Sequence, residues 1–230
     1  MRVALLSVAI AAAAAITSAA EAVSFNIDAS ARGYITDTGV TNIGGPNENY
    51  LAGLVSDDAN GEEYRNFFRF SLPTFTGTVS SARLRIDIND STIPAILGNQ
   101  SPTVAYQLTS LAGLPDDASD FSALGTGTLY GTGFYTASDA GSVVDLVLNS
   151  AGIAALTSGG TFLVGGRVTN AVSGPGALDQ YVFGFSASRP VSLEFETAVP
   201  AVPEPESWAM MILASGMAGA ALRRKRSAIA

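Results

Sequence analysis

The densest run of oxygen-bearing side chains in this 230-residue chain is Asp57, Asp58, Asn60, Glu62 and Glu63. Calcium is a hard cation that takes about six to eight oxygen ligands. Asp57, Asp58, Asn60 and Glu62 are therefore the candidate Ca²⁺ ligands, in a loop, with Asp28 or a backbone carbonyl completing the shell. The run lacks the D-x-[DN]-x-[DN]-G spacing of an EF-hand loop, and a solvated acidic loop has the same composition. Asp116, Asp117 and Asp120 form a second acidic loop. Arg65 and Arg69 lie four apart, so in a strand they share a face. There they either anchor an anionic ligand or pair with Asp87 or a glutamate across the sheet. Tyr34, Tyr50, Tyr64, Tyr130, Phe134 and Tyr135 could stack on sugar rings, or fill a core. Asp57 and Asp87 are the pair a glycosidase dyad would draw on, at a separation of about 5–9.5 Å.

Composition removes most other chemistry. The chain has no histidine and no cysteine. That takes away the commonest general base, the commonest zinc ligand and every Ser-His or Cys-His arrangement. We expect no enzyme and no cofactor other than the candidate calcium. Disulfides are also absent, so the core must hold the fold. The net charge is −8. Between residues 23 and 199 there are seven basic and 17 acidic side chains, net −10, and no lysine. Nucleic acid and anionic lipid are poor partners for such a surface.

The elements that would position these residues read as strands. Ala82, Leu84, Ile86 and Ile88 alternate with Arg83, Arg85 and Asp87, the period-2 pattern of a half-buried strand. Further strands are expected at 66–72, 103–108, 142–148, 161–168, 181–186 and 191–197, with weaker ones at 23–29 and 127–135. Each is bounded by Gly, Pro, Asn, Asp or Ser. About nine short strands with turn signals between them argue for an all-β sandwich or barrel. One short helix is expected at 150–156, with Ser150 as N-cap and Gly159-Gly160 as its stop.

Both ends seek membrane. Met1-Arg2, the apolar Val3 to Ile16 and the small residues Ser18 to Ala22 compose a secretory signal peptide over 1–22. Cleavage is expected after Ala22, with Ala20 as the alternative. The β-sandwich domain then covers 23–199. Residues 200–207 are a linker in which Pro200, Pro203 and Pro205 disfavour helix and central strand. Trp208 to Leu222 is an uncharged 15-residue run. As a helix it is about 22 Å long against a bilayer core of about 30 Å. It crosses only if Trp208 sits at one interface and the basic residues snorkel at the other. Arg223, Arg224, Lys225 and Arg226 open a basic tail over 223–230, expected in the cytoplasm. By spacing alone this is a transmembrane anchor.

The block Val202, Pro203, Glu204, Pro205, followed by Trp208 and Arg223 to Arg226, resembles the PEP-CTERM sorting tail of exported bacterial proteins. The resemblance implies an exosortase-type processing enzyme as partner, after export by signal peptidase. It implies passage across the inner membrane of a Gram-negative bacterium, a membrane tether, and then the cell surface or extracellular matrix. A second resemblance rests on Tyr64-Arg65-Asn-Phe-Phe-Arg69-Phe70-Ser-Leu72 followed by Val79-Ser-Ser-Ala82-Arg-Leu84-Arg-Ile86. This is similar to the opening of DNRLRE-type, carbohydrate-binding-module-like jelly rolls. It implies a jelly-roll sandwich from about Gly33 to Thr197. The expected function is a non-catalytic exported sandwich, structural or adhesive in an exopolysaccharide or biofilm matrix. A polysaccharide-binding module is the alternative, and a glycosidase or lyase the second.

Overall fold

The computed structural model describes residues 22–55, 61–88, 103–174, 179–183, 189–198, 209, 211–217 and 219. One compact unit spans Ala22–Ala198. It contains β1 (Ala22–Asp28), β2 (Ala31–Thr36), β3 (Thr41–Ile43), β4 (Ala52–Val55), β5 (Glu62–Ser71) and β6 (Thr78–Asp87). After these come β7 (Val104–Ser110), β8 (Leu129–Tyr135), β9 (Val143–Val147), α1 (Ser150–Thr157), β10 (Thr161–Val168), β11 (Gln180–Val182) and β12 (Val191–Ala198).

The strands form two antiparallel sheets. The smaller runs β1-β12-β6-β9; the larger runs β11-β4-β5-β10-β7-β8. β2 lies on the other edge of β5, with β3 beyond it. Tyr64 shows the arrangement, because it pairs with Thr36 of β2 on one side and Gly53 of β4 on the other. The all-β sandwich expected from the strand pattern is the observed architecture.

Inward residues of both sheets build one core. Leu84, Ile86, Leu146, Leu193 and Phe195 meet Phe68, Phe70, Tyr106, Leu108 and Val164. Burying each large side chain contributes about 1.5–3 kcal/mol. The alternation in β6 holds from Ala82 to Ile86, then breaks at Ser80. Glu196 pairs with Ser81 and Thr197 with Val79, so Ser80 is a bulge that returns Val79 to the core face.

β5 is buried on both faces. Phe68 and Phe70 face the other sheet, while Phe67 packs outward with Ile35 and Leu124 in a second cluster. That cluster is covered by the 3-10 turn at Ala118–Ala123. Phe67 lies directly opposite Gly33. A Cβ at Gly33 would come within 1.9 Å of the Asn42 carbonyl oxygen and 2.8 Å of the Phe67 ring.

The helix expected after β9 is present, but its N-cap is Asn149 rather than Ser150. Asn149 Oδ1 accepts from the amides of Ala151 at 2.9 Å and Gly152 at 3.0 Å. The acceptor reach of the longer Asn side chain satisfies two of the free first-turn amides. Gly159 and Gly160, both at positive φ, follow the helix as expected. β2, β3 and β4 are strands that the apolar pattern did not indicate.

Residues 1–21 and 199–230 form a second unit. Residues 211–217 are helical there, with Met211, Ile212, Leu213 and Met217 exposed. No helix among the described residues is long and apolar enough to cross a membrane. The span expected over 208–222 is therefore not represented by a described helix. The signal segment through Glu21, the 200–207 linker and the basic tail lie outside the described residues.

Candidate functional site

The outer face of the larger sheet carries an arginine pair that the linear sequence does not show. β10 pairs with β5 as far as Gly166 opposite Asn66. One step further the register places Arg167 across from Arg65, where β10 leaves β5 and β4 takes its place. Like charges in such positions repel. Arg65 is compensated internally. Its Nε donates to Glu63 Oε1 at 2.8 Å and its Nη1 to the carbonyls of Phe121 and Leu124 at 3.3 and 3.2 Å. Its guanidinium carbon lies 4.1 Å from the Phe121 ring centroid.

Arg167 makes no ion pair among the described residues. Its Nε is buried with no hydrogen-bond partner among the described residues. Its stem packs on Gly125, where a Cβ would fall 2.6 Å from Arg167 Cγ. Arg65 and Arg167 line a pocket of about 260 Å³ together with Glu63, Leu54, Thr169 and Ser173. Two strands across, the same face continues. Arg167 pairs with Gln107 and Gln107 with Thr132. Phe134 lies two residues along from Thr132 and is 68% exposed.

The residues named from the sequence fall in varied places. Glu62 and Glu63 are in β5, not in a loop. Glu62 accepts from the Tyr64 hydroxyl at 2.6 Å and also from Thr38. Asp57, Asp58 and Asn60 lie outside the described residues, and so does one half of the Asp57–Asp87 dyad. Asp87 itself lies 4.0 Å from Arg189. Arg65 and Arg69 share the outer face as their spacing requires. Neither pairs across the sheet with Asp87; Arg69 Nε donates to Ser30 Oγ at 3.1 Å. Asp116, Asp117 and Asp120 place carboxylate oxygens within 4.8 Å of one another. Two of them are engaged in the turn: Asp117 accepts from Ser119, which holds its carboxyl below the usual range, and Asp120 accepts from the Asp116 amide.

The aromatic set divides the same way. Tyr50 and Tyr135 are buried, and burial pushes the Tyr50 phenol up to about 12. Tyr34 and Tyr64 pair at 5.1 Å, and Tyr130 stacks on Phe162 at 5.7 Å. Phe134 alone of the six is a largely exposed ring. The smaller sheet's outer face carries an ion ladder instead. Arg83 reaches Glu194 at 2.5 Å and Asp145 at 3.4 Å, and Arg85 reaches Glu194 at 3.4 Å.

Sequence reasoning named Arg65 and Phe134 but gave Arg167 no role beyond its strand. An isolated arginine after Gly165-Gly166 was the only signal, and register alone brings it to Arg65.

The fold thus defines an all-β sandwich protein of two antiparallel sheets. The family model of the PEP-CTERM protein-sorting motif matches residues 201–226. That interval contains Val202, Pro203, Glu204, Pro205, Trp208 and Arg223 to Arg226, the residues singled out in the tail. Among curated proteins, none matches the chain. The motif indicates a secreted protein sorted by exosortase, with export to the cell envelope or surface.

Proposed function

We propose that this chain is a non-catalytic exported sandwich with a structural or adhesive role in an exopolysaccharide matrix. The observation that carries this reading is the union of the sorting motif at 201–226 with a body lacking histidine and cysteine. Signal peptidase would release the chain at Ala22 or Ala20. The basic residues 223–226 would stay inside the inner membrane of a Gram-negative host while an exosortase-type enzyme cuts near Pro203-Glu204-Pro205. The jelly-roll reading of the body draws support from its two antiparallel sheets.

The test is fractionation of the native host with mass spectrometry of the mature protein. We expect a surface or matrix fraction whose C-terminus ends before Trp208. Recovery in the membrane with an intact C-terminus through Ala230 would leave a plain anchor and reject the sorting route.

A second reading, a polysaccharide-binding module, is favoured by Phe134, whose exposed ring shares a face with Arg167 and Thr132. Retention of the full chain on gels cast with host exopolysaccharide separates it from a purely structural role.

A further inference from the structure

We infer that the Arg65–Arg167 pocket binds the carboxylate of an acidic sugar, a uronate, with the chain of sugars continuing along the sheet toward Phe134. The inference deepens the matrix reading above and rests on it for the ligand's source.

Charge balance is the first argument. Two arginines line one pocket where β10 leaves β5, and among the described residues only Arg65 is paired with a carboxylate, that of Glu63. Arg65 has carbonyl, carboxylate and ring partners; Arg167 has a buried Nε with no acceptor among the described residues. A buried donor without an acceptor is costly, and charge-assisted, bidentate pairing is what a guanidinium fork does best. One added carboxylate, paired with the terminal nitrogens of Arg167, would offset the like charges that line the pocket.

Size and surroundings select the kind of anion. A volume of about 260 Å³ lies below the range of about 300–1,000 Å³ for drug-sized ligands, so the pocket suits one small ring or group. The body's net charge of −10 opposes densely charged polymers and leaves a local site for a singly charged group. Beyond the pocket the face offers Gln107 and Thr132, which hydrogen-bond hydroxyls in either sense. Phe134 closes the row. Two strand spacings across and two residues along place it about 12 Å from Arg167. That is further than one ring reaches, so Phe134 would stack on a later sugar and Arg167 would hold the acid.

The experiment is calorimetry on the full chain in mild detergent, with glucuronate, a trimer of one glucuronate and two neutral sugars, glucose, acetate and inorganic phosphate as probes. We expect glucuronate to bind, glucose to fail, and the Arg167→Gln variant to lose at least about tenfold in affinity. Arg167→Lys keeps the charge without the fork and should bind at an intermediate level. Phe134→Ala should weaken the trimer and leave the monomer unchanged. Thermal melts of each variant confirm folding. Acetate or phosphate binding as tightly as glucuronate would overturn the sugar assignment. Unchanged glucuronate affinity in Arg167→Gln, or no glucuronate binding by the wild type, would overturn the site. Glucuronate binding that depends on Arg167, with no retention on host exopolysaccharide, would uphold the pocket and reject the matrix role. Retention on that polysaccharide without glucuronate binding would do the reverse.

Discussion

The Tyr106 hydroxyl donates to Asn66 Oδ1 at 2.8 Å in the middle of the sandwich, and both side chains are fully buried. Asn66 Nδ2 in turn donates to the Tyr50 carbonyl at 2.8 Å. This chain ties β7 to β5 and to the segment before β4. It also dictates Gly166, because a Cβ there would lie 1.7 Å from the Tyr106 oxygen.

Removing the hydroxyl should therefore cost more than its bond. Tyr106→Phe leaves Asn66 Oδ1 buried without its donor, a penalty of about 1–3 kcal/mol. Denaturant unfolding should show that loss, while Tyr130→Phe, at a partly exposed stacked ring, should fall within about 0.5 kcal/mol of wild type.

Glycine substitutions should divide by space. Gly33→Ala and Gly166→Ala place a Cβ within 1.9 and 1.7 Å of fixed atoms, and overpacking of this kind costs about 1–3 kcal/mol or more. Gly113→Ala meets nothing within 4 Å and should be near neutral. Melting temperatures of the three variants give the ranking. Equal stability of all three would contradict the packing at β2 and β10.

Alkaline pH should destabilise the fold through its buried phenols. Burial raises Tyr50 to about 12 and pushes Tyr106 and Tyr135 upward as well. The unfolded state releases these protons near pH 10, where the native state still holds them. Stability is therefore full below about pH 10 and falls as pH rises toward 12, by up to about 1.4 kcal/mol per pH unit for each such tyrosine. Phenolate absorbance should show the buried groups ionising only with unfolding.

The ion ladder on the smaller sheet should matter little. Arg83 and Arg85 have side chains 44% and 40% exposed, and pairs of that kind contribute about 0–1 kcal/mol. Glu194→Gln should cost no more than about 1 kcal/mol, and less at high salt. A larger loss in chemical denaturation would show that the ladder holds β12 to β6.

Sequence alone determined the features that are local. Period-2 alternation marks β6, because every second side chain of a half-buried strand must be apolar. The helix after β9 follows from the polar cap before it and Gly159-Gly160 after it, and the tail's order of proline, apolar and basic residues is legible without a fold. β2 escaped because Arg32 and Thr36 break the apolar pattern although both are buried. Arg32 is accommodated by partners that β2 does not itself contain, among them the Glu48 carbonyl at 2.8 Å, the Arg189 carbonyl and the Tyr50 ring 4.5 Å away. The Ser80 bulge, the Asn149 cap and the meeting of Arg65 with Arg167 were decided by tertiary structure. The two arginines stand 102 positions apart. Their proximity follows from the register of β10 on β5, which the packing of Phe68 against Val164 and Phe70 against Phe162 sets. A local pattern states which face of a strand is apolar; only the assembled core states which strand lies beside it and in what register.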